Sequence, residues 1–415
     1  MNKQSTGSLI ALAWRNIWRH RRRTNLTLAG IAFSCMLFVL VTPVQYGAFD
    51  NIIDITLRMF VGHAQVQKEG YLDNPQMNTV INNASAVAEQ LRATGKYDAI
   101  GIRIAGFALI SSEQRSYGAQ VLGVEAKNEH QISGIPGMVK EGSFLSADDA
   151  QEVVIGSALA RNLKVAVGDE MTLLGSGRDG SVAASILTVT GIFHSGDDQL
   201  DRFMVEIPIK TFQEMFSMGD SAHMIIVSAK NPNERDTLPL TLSGDLPTGS
   251  GLVAVGWEEL LPGLKEMWSM KKGGGLIFML ILTVVVVFSI FNTFLMSILE
   301  RTREFGLMLA LGAKPKNITR MVMTESLMIS ILGLAIGLVI SLSLVFYLDK
   351  EGFMLASISE VYESYNIPLE RLYPQINLFN ILLGPSIIFI STNLAAWIPI
   401  LRIHRLKPVD AMRTV

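Results

Sequence analysis

The chain has 415 residues, of which 49% are apolar and only 17% are charged, whereas soluble domains typically carry about 25% charged residues. Four stretches contain no Asp, Glu, Lys or Arg, and each exceeds the roughly 20 residues that cross a bilayer as a helix: 24–49, 273–299, 326–348 and 372–401. These features exclude a wholly soluble protein, and a net charge of −2 gives no indication of nucleic-acid binding.

The first predicted element is an amphipathic helix within residues 1–23. Trp14, Ile17 and Trp18 recur at helical spacing, and arginines lie between them. This pattern is typical of a helix that lies along the cytoplasmic membrane surface, with its tryptophan rings at the depth of the lipid headgroups. The pattern leaves open whether the helix only anchors the chain or also grips a partner.

A first transmembrane helix is predicted over 24–49, and it is followed by a long segment at 50–272 that ends in a helical stalk. Ile- and Val-rich runs alternate with short helical patterns in this segment, which predicts a mixed α/β domain with an inserted lobe at about 131–204. The predicted strands are 100–110, 117–124, 169–174, 184–193 and 223–229, and the predicted helices are 84–94, 156–163 and 209–217.

The C-terminal part of the chain contains three further predicted transmembrane helices, joined by two loops and followed by a tail. In chain order these segments are the helix 273–299, the loop 300–325, the helix 326–348, the loop 349–373, the helix 374–401 and the tail 402–415. Small residues at Gly333, Gly337 and Ser341 lie on one face of the third span. Such a face favours close packing of two helices.

Basic residues are concentrated on one side of this arrangement. Residues 1–23 contain six Lys or Arg, the loop 300–325 contains five and the tail 402–415 contains four, whereas the loop 349–373 contains two. The positive-inside rule therefore predicts that both termini and the loop 300–325 lie in the cytoplasm. The segment 50–272 then lies on the other side of the membrane.

Motifs for catalysis and metal binding are lacking in the sequence. There is no GxxxxGK[ST] phosphate-binding loop, no GxSxG nucleophile motif and no HExxH zinc motif. Asp197, Asp198 and Asp201 cluster near His194, and we interpret this cluster as a solvated turn. The sequence thus predicts a non-catalytic chain without a metal or cofactor of its own.

The loop 300–325 contains a short predicted helix at 303–311. Its apolar side chains are too numerous for a helix that is surrounded by water: Phe305, Met308, Leu309 and Leu311. The helix therefore needs a groove, which either another protein or the spans of the same chain can provide.

Three segments resemble the FtsX-like (MacB/LolC/LolE-type) permeases of ABC transporters. They are LAWRNIWRHRRRTNLTLAGIAF at 12–33, RTREFGLMLALGA at 301–313, and the closing stretch 399–413. The order of one span, an outer domain and three spans extends the resemblance over the whole chain. Within the family, VGHAQVQKEGYLDNP at 61–75 is most similar to the lipoprotein-releasing branch.

The resemblance implies an α-helical membrane protein with four transmembrane helices and a large extracytoplasmic mixed α/β (MacB-like) domain inserted between the first and second spans. It implies a place in the bacterial inner membrane, with the large domain in the periplasm. The helix 303–311 would be a coupling helix that docks on a separate ABC ATPase dimer, which would bind ATP and Mg. The residues implied in docking are Arg303, Glu304, Phe305, Gly306, Met308, Leu309 and Leu311.

The function expected from this resemblance is extraction of lipoproteins or other lipid-anchored cargo from the outer leaflet of the inner membrane. The expected partners besides the ATPase are a second permease copy or paralogue, membrane lipid, a lipoprotein cargo and a periplasmic acceptor or adaptor. Two alternatives stay open: export of a small molecule or peptide through an adaptor and duct, and transmembrane activation of a periplasmic hydrolase. For a lipid cargo, the candidate lining residues are Met36, Leu40, Phe288 and Phe291.

Overall fold

The computed structural model describes residues 11–113, 115–353 and 371–403. The chain divides into two compact units. The first unit takes its described residues from Met1–Phe49, Trp268–Phe353 and Arg371–Val415, and the second unit takes them from Asp50–Met267.

The helices are numbered along the chain. They are α1 (11–17), α2 (Arg21–Phe60), α3 (Ala84–Ala93), α4 (Glu129–Ile132), α5 (Ser157–Leu163), α6 (Asp198–Phe203), α7 (Ile209–Met215), α8 (Leu238–Asp245), α9 (Trp257–Leu260), α10 (Pro262–Glu300), α11 (Thr302–Ala310), α12 (Pro315–Glu351) and α13 (Leu378–Ile403). Short 3₁₀ turns occur at Trp18–His20, Ile135–Met138 and Pro232–Glu234.

Four helices of the described chain are long and apolar enough to cross a membrane, in agreement with the number predicted. They are Arg21–Phe60, Pro262–Glu300, Pro315–Glu351 and Leu378–Trp397. Each includes the uncharged core of a predicted span, and the first three continue well beyond it. Pro262 is the first residue of α10.

The fourth long helix begins later than the predicted residue 374. Leu372 forms an isolated antiparallel bridge with Phe353, so the chain is still extended there. The side chain of Asn377 then accepts a hydrogen bond from the main-chain N–H of Asn380 at 2.7 Å. An asparagine in this role caps a helix N-terminus, and α13 therefore starts at Leu378.

Small residues bring α2 and α12 into close contact within the first unit. Gly333, Gly337 and Ser341 are all buried. A Cβ atom added at Gly337 would lie 2.6 Å from the carbonyl oxygen of Ala32 and 2.7 Å from Cβ of Cys35. The predicted small-residue stripe therefore packs against a helix of its own chain.

The second unit is built on a large mixed sheet. The strands of this unit are β1 (Ala64–Lys68), β2 (Ile81–Asn82), β3 (Ala99–Ser111), β4 (Ser116–Val124), β5 (Val139–Gly142), β6 (Glu152–Gly156), β7 (Glu170–Ser176), β8 (Val182–Phe193), β9 (Met204–Pro208), β10 (Ser221–Ala222), β11 (Met224–Ser228) and β12 (Leu252–Gly256). Strands β2 and β10 pair with each other in a separate two-stranded sheet, and the others form the large sheet. The sheet order is β12–β1–β11–β3–β4–β9–β6–β8–β5, and β7 pairs with both β3 and β8. The prediction of a mixed α/β domain is confirmed, and each of the five predicted strands is present.

The core of this unit lies between the sheet and its short helices. Phe212 on α7 stacks on Phe216 with 4.3 Å between the ring centroids. A Cβ atom at Gly123 of β4 would lie 2.7 Å from Phe212, and one at Gly106 of β3 would lie 3.0 Å from it. The two glycines thus leave room on the sheet for the ring of Phe212, which a side chain at either position would crowd.

Candidate functional site

Helix α11 presents two chemically different faces. Phe305 is completely buried, and the adjacent Gly306 is also buried. Leu307, Met308 and Leu311, by contrast, are 54%, 37% and 80% exposed. Leu311 lies three positions after Met308 and four positions after Leu307, so the three side chains form one apolar stripe. We call it the α11 stripe. An apolar stripe left in solvent is a place where another protein can pack.

The residues implied in docking divide between these two faces. Arg303, Met308 and Leu311 are exposed, Glu304 and Leu309 are half-buried, and Phe305 and Gly306 are buried. Phe305 belongs to an apolar cluster with Ile298 and Val322, so it offers no surface to a partner. Leu307, which the prediction omitted, is exposed instead. The exposed surface of α11 is therefore formed by the α11 stripe and its polar neighbours.

A tight turn fixes the far end of α11. Gly312 has a φ of +91°, and the N–H of Ala313 donates to the carbonyl of Met308 at 2.9 Å. A glycine in this conformation commonly ends a helix. Pro315 then begins α12, so the chain reverses within a few residues.

A buried ion pair holds the start of α11 against α12. Arg301 donates from Nη1 to Oε2 of Glu325 at 2.8 Å, and the two side chains are only 8% and 10% exposed. Asn16 of α1 donates to the other carboxylate oxygen at 2.7 Å. Glu325 thus joins the N-terminal helix, the start of α11 and α12. Because both charges are removed from water, loss of either partner is costly.

Two further ion pairs lie closer to the surface. Arg19 contacts Glu304 at 2.9 Å, and Arg23 contacts Glu300 at 2.7 Å. Pairs of this kind typically contribute about 0–1 kcal/mol each. They therefore orient the N-terminal segment beside α11, whereas the Arg301–Glu325 pair provides the firm attachment.

The N-terminal segment differs from the single amphipathic face that was predicted. Helix α1 ends at Ile17, and the 3₁₀ turn that follows it precedes α2. Ile17 is buried, whereas Trp14 and Trp18 are exposed, with their rings edge to face at 5.9 Å. Ile17 packs inward, and the two tryptophans form the outer face.

The four candidate cargo-lining residues lie in different environments. Phe288 of α10 is exposed, whereas Met36, Leu40 and Phe291 are half-buried. Only 6% of the most apolar stretch of α10 is buried, compared with 56% of the most apolar stretch of α2. Helix α10 therefore has a large apolar surface that is free for lipid or protein, and a cargo role for these residues stays a prediction.

The acidic cluster near His194 is not a solvated turn at its centre. Asp201 is completely buried and accepts hydrogen bonds from Ser157 Oγ at 2.8 Å and from Ser195 Oγ at 2.5 Å. Ser157 and Asp201 both approach the same ring nitrogen of His194, Nδ1, so the three cannot form a proton relay of the serine-hydrolase type. No group of three or more metal-binding side chains occurs among the residues described.

The second unit contains a buried charged cluster that the sequence pattern did not predict. Arg103 donates to Glu129 and to the carbonyl of Phe60 at the end of α2. Glu206 of β9 is completely buried, and neither carboxyl oxygen has a hydrogen-bond partner within the described structure. Burial and then the charge of Glu129 raise the pKa of Glu206 well above its ordinary value, although Arg103 opposes this. The only signal in the sequence is a lone glutamate in the apolar run 203–209.

Two family models match the chain. One is described as FtsX-like permease C-terminal and matches residues 276–408, and the other is described as MacB-like periplasmic core domain and matches residues 24–238.

Individual relatives match at low identity over most of the chain. The lipoprotein-releasing system transmembrane protein LolC of Xylella fastidiosa is 22% identical, covering 93% of this chain and 92% of that protein. The corresponding LolE protein of Haemophilus influenzae is 23% identical, covering 76% and 75%. The macrolide export ATP-binding/permease protein MacB of Sodalis glossinidius is 25% identical, covering 80% of this chain but only 52% of that protein.

Proposed function

The chain belongs to the FtsX-like permeases of ABC transporters with a MacB-like periplasmic core domain, and we propose that it moves lipid-anchored cargo with energy supplied by a separate ATPase chain. In this proposal ATP hydrolysis in the cytoplasm changes the position of α11. The long helices α2 and α10 then carry the movement to the periplasmic side.

A separate ATPase agrees with the LolC and LolE relatives, which are named as transmembrane proteins and are covered over 92% and 75% of their length. The relative named as an ATP-binding/permease protein is covered over only about half of its length. The present sequence contains no GxxxxGK[ST] loop to hold the phosphates of ATP. We therefore assign binding of ATP and Mg to a dimer of ABC ATPase subunits that docks on this chain.

The single observation that carries the proposal is the α11 stripe. Leu307, Met308 and Leu311 are apolar and exposed, and the turn at Gly312 and the Arg301–Glu325 pair hold this helix against α12. A short, rigidly held helix with an uncovered apolar stripe suits insertion into a groove of another protein.

The proposed orientation places both termini and α11 in the cytoplasm and the second unit in the periplasm of a bacterial inner membrane. The excess of Lys and Arg in the segments 1–23, 300–325 and 402–415 supports it. The uncovered apolar surface of α10 supports a neighbouring second permease, either a copy or a paralogue.

Lipoprotein release is the cargo assignment we propose. The LolC and LolE relatives carry that activity in their names, and the LolC match extends over nearly the full length of both chains. Extraction of three acyl chains from a bilayer must overcome on the order of 30–40 kcal/mol of hydrophobic stabilisation, at about 0.8 kcal/mol per CH₂. Large movements of a periplasmic domain and a shielding acceptor protein suit this task better than a polar channel.

Export of a periplasmic small molecule through an adaptor and duct is the second candidate. It is favoured by the MacB relative, whose name states macrolide export and whose identity to this chain is as high as that of LolC and LolE. The molecules that co-purify with the complex from native membranes distinguish the two functions. A bound lipoprotein supports lipoprotein release, whereas a bound adaptor with a duct supports export.

Replacing Leu311 by aspartate tests the docking assignment. We expect co-purification of an ABC ATPase with the tagged chain to fall at least about tenfold, because a central apolar contact of an interface often contributes about 2 kcal/mol or more. The matched control is Leu240→Asp on α8, since Leu240 is 78% exposed and Leu311 is 80% exposed. Quantitative mass spectrometry of the purified complex measures the ratio. Equal ATPase recovery with both variants would remove α11 as the docking element.

A further inference from the structure

A basic cleft opens between the N-terminal segment and the cytoplasmic end of α10. It has a volume of about 870 Å³ and combines arginines with apolar side chains: Trp18, Arg19, Arg21, Arg22, Arg23, Leu26, Thr293, Met296 and Glu300. We call it the basic cleft. All of these residues belong to the first unit.

The charges in the basic cleft are only partly balanced. Arg23 contacts Glu300 at 2.7 Å, and Arg19 contacts Glu304 at 2.9 Å. Arg21 and Arg22 are exposed, and neither forms an ion pair with another residue of the described chain. The cleft therefore carries two guanidinium groups that are available to an anion.

Apolar groups border these charges. Leu26 and Met296 are both largely exposed, and Trp18 is exposed beside them. A surface that offers guanidinium groups next to exposed aliphatic and indole side chains matches an amphipathic anion. Arginine holds phosphate oxygens through paired N–H donors, and tryptophan favours the headgroup depth of a bilayer.

We propose that the basic cleft binds the phosphate headgroup of an anionic phospholipid of the cytoplasmic leaflet. Arg21 and Arg22 hold the phosphate, and the acyl chains lie along Leu26 and Met296. The proposal rests on the membrane orientation given above, which places these residues at the cytoplasmic surface.

The position of the basic cleft gives the lipid a regulatory role. Arg23 and Arg19 line it, and their partners Glu300 and Glu304 flank the start of α11. A phosphate held by Arg21 and Arg22 lies next to these two guanidinium groups and competes with the carboxylates for them. Bound lipid therefore weakens the Arg19–Glu304 and Arg23–Glu300 pairs and leaves the buried Arg301, which contacts both Glu325 and Glu304, as the attachment of α11.

The experiment compares two charge-matched double variants of the full chain. Arg21→Gln/Arg22→Gln removes the two available guanidinium groups, whereas Arg15→Gln/Arg320→Gln removes two exposed arginines outside the cleft. Each protein is reconstituted in nanodiscs of phosphatidylethanolamine with increasing cardiolipin, and native mass spectrometry measures retained cardiolipin. We expect the first variant to bind cardiolipin about 30-fold more weakly, equivalent to about 2 kcal/mol for two basic side chains near a membrane. We expect the second to bind like the wild type.

Three results would overturn the proposal. One is equal loss of cardiolipin from both double variants, since that indicates a general charge effect. Another is displacement of cardiolipin by millimolar inorganic phosphate, since the cleft is then a site for free phosphate. The third is loss of the ATPase subunit from Arg21→Gln/Arg22→Gln with cardiolipin retained, since the cleft is then a protein interface. The Leu311→Asp variant separates this question from the proposed function, because it should lose the ATPase while it keeps cardiolipin.

Discussion

Replacing Glu325 by leucine is expected to lower the melting temperature of the purified chain by on the order of 10 °C. The substitution removes the closer of the two carboxylates that contact the buried Arg301 and leaves only Glu304, at 3.4 Å. Breaking one partner of a buried ion pair typically costs about 3–5 kcal/mol. Asn16 also loses the acceptor to which it donates at 2.7 Å. Thermal unfolding of the detergent-solubilised chain, followed by tryptophan fluorescence, measures the change.

A double variant provides the control for this result. Arg301→Met removes the stranded charge, and a buried pair replaced by apolar residues of similar volume is often as stable as the original. Arg301→Met/Glu325→Leu should therefore recover most of the melting temperature that Glu325→Leu loses. Arg19→Ala, which removes only an exposed pair, should change it little. A double variant as unstable as the sum of the two single variants would show that the pair does not act as a unit.

Replacing Glu206 by glutamine is expected to stabilise the protein at neutral and alkaline pH. Glu206 is completely buried without a hydrogen-bond partner among the described residues, and its pKa is raised well above the ordinary value of 4.5. The folded protein therefore keeps a proton on Glu206 that the unfolded chain releases. Glutamine has nearly the shape of the protonated acid, but it does not titrate, so its contribution to stability does not change with pH.

The sign follows from proton linkage. The wild type is most stable relative to the variant below pH 4.5, where Glu206 is protonated in both the folded and the unfolded chain. As the pH rises above this value toward the folded pKa, the unfolded chain binds fewer protons, and the wild type loses about 1.4 kcal/mol per pH unit. Melting curves recorded at rising pH above 4.5 should thus diverge until the folded pKa is reached, with Glu206→Gln increasingly the more stable protein.

The neighbouring glutamate gives a matched control of opposite sign. Glu129 pairs with Arg103, so Glu129→Gln should destabilise the chain at neutral pH by about 3–5 kcal/mol. If Glu206→Gln instead lowers the melting temperature at pH 8, or if its effect does not depend on pH, Glu206 is not held as a neutral acid.

Elements with strong hydrophobic patterns were predictable from the sequence. Uncharged runs long enough to span a membrane identified the four long helices, and the alternating or Val- and Ile-rich runs at 100–110 and 184–193 identified β3 and β8. Local propensity and burial agree in these segments. The helix at 303–311 was also predictable, because Gly312 and Pro315 mark its end.

Features that depend on tertiary contacts were not predictable. The pattern of α11 does not reveal which apolar residue faces inward, so Phe305 was expected in the docking set although it is buried. The 3₁₀ turn after Ile17 and the bridge between Phe353 and Leu372 are likewise set by packing. Glu206 is a further case, since only the folded sheet shows that its carboxyl group is enclosed.

The most direct test of the account is the location of ATP hydrolysis. The tagged chain is purified from native membranes, and ATP hydrolysis is measured for the intact complex and for the chain after its partners have been removed. The account predicts that an ABC ATPase subunit co-purifies, that the complex hydrolyses ATP, and that the isolated chain does not. Hydrolysis by the isolated chain, or a functional complex that contains no ABC ATPase, would contradict it.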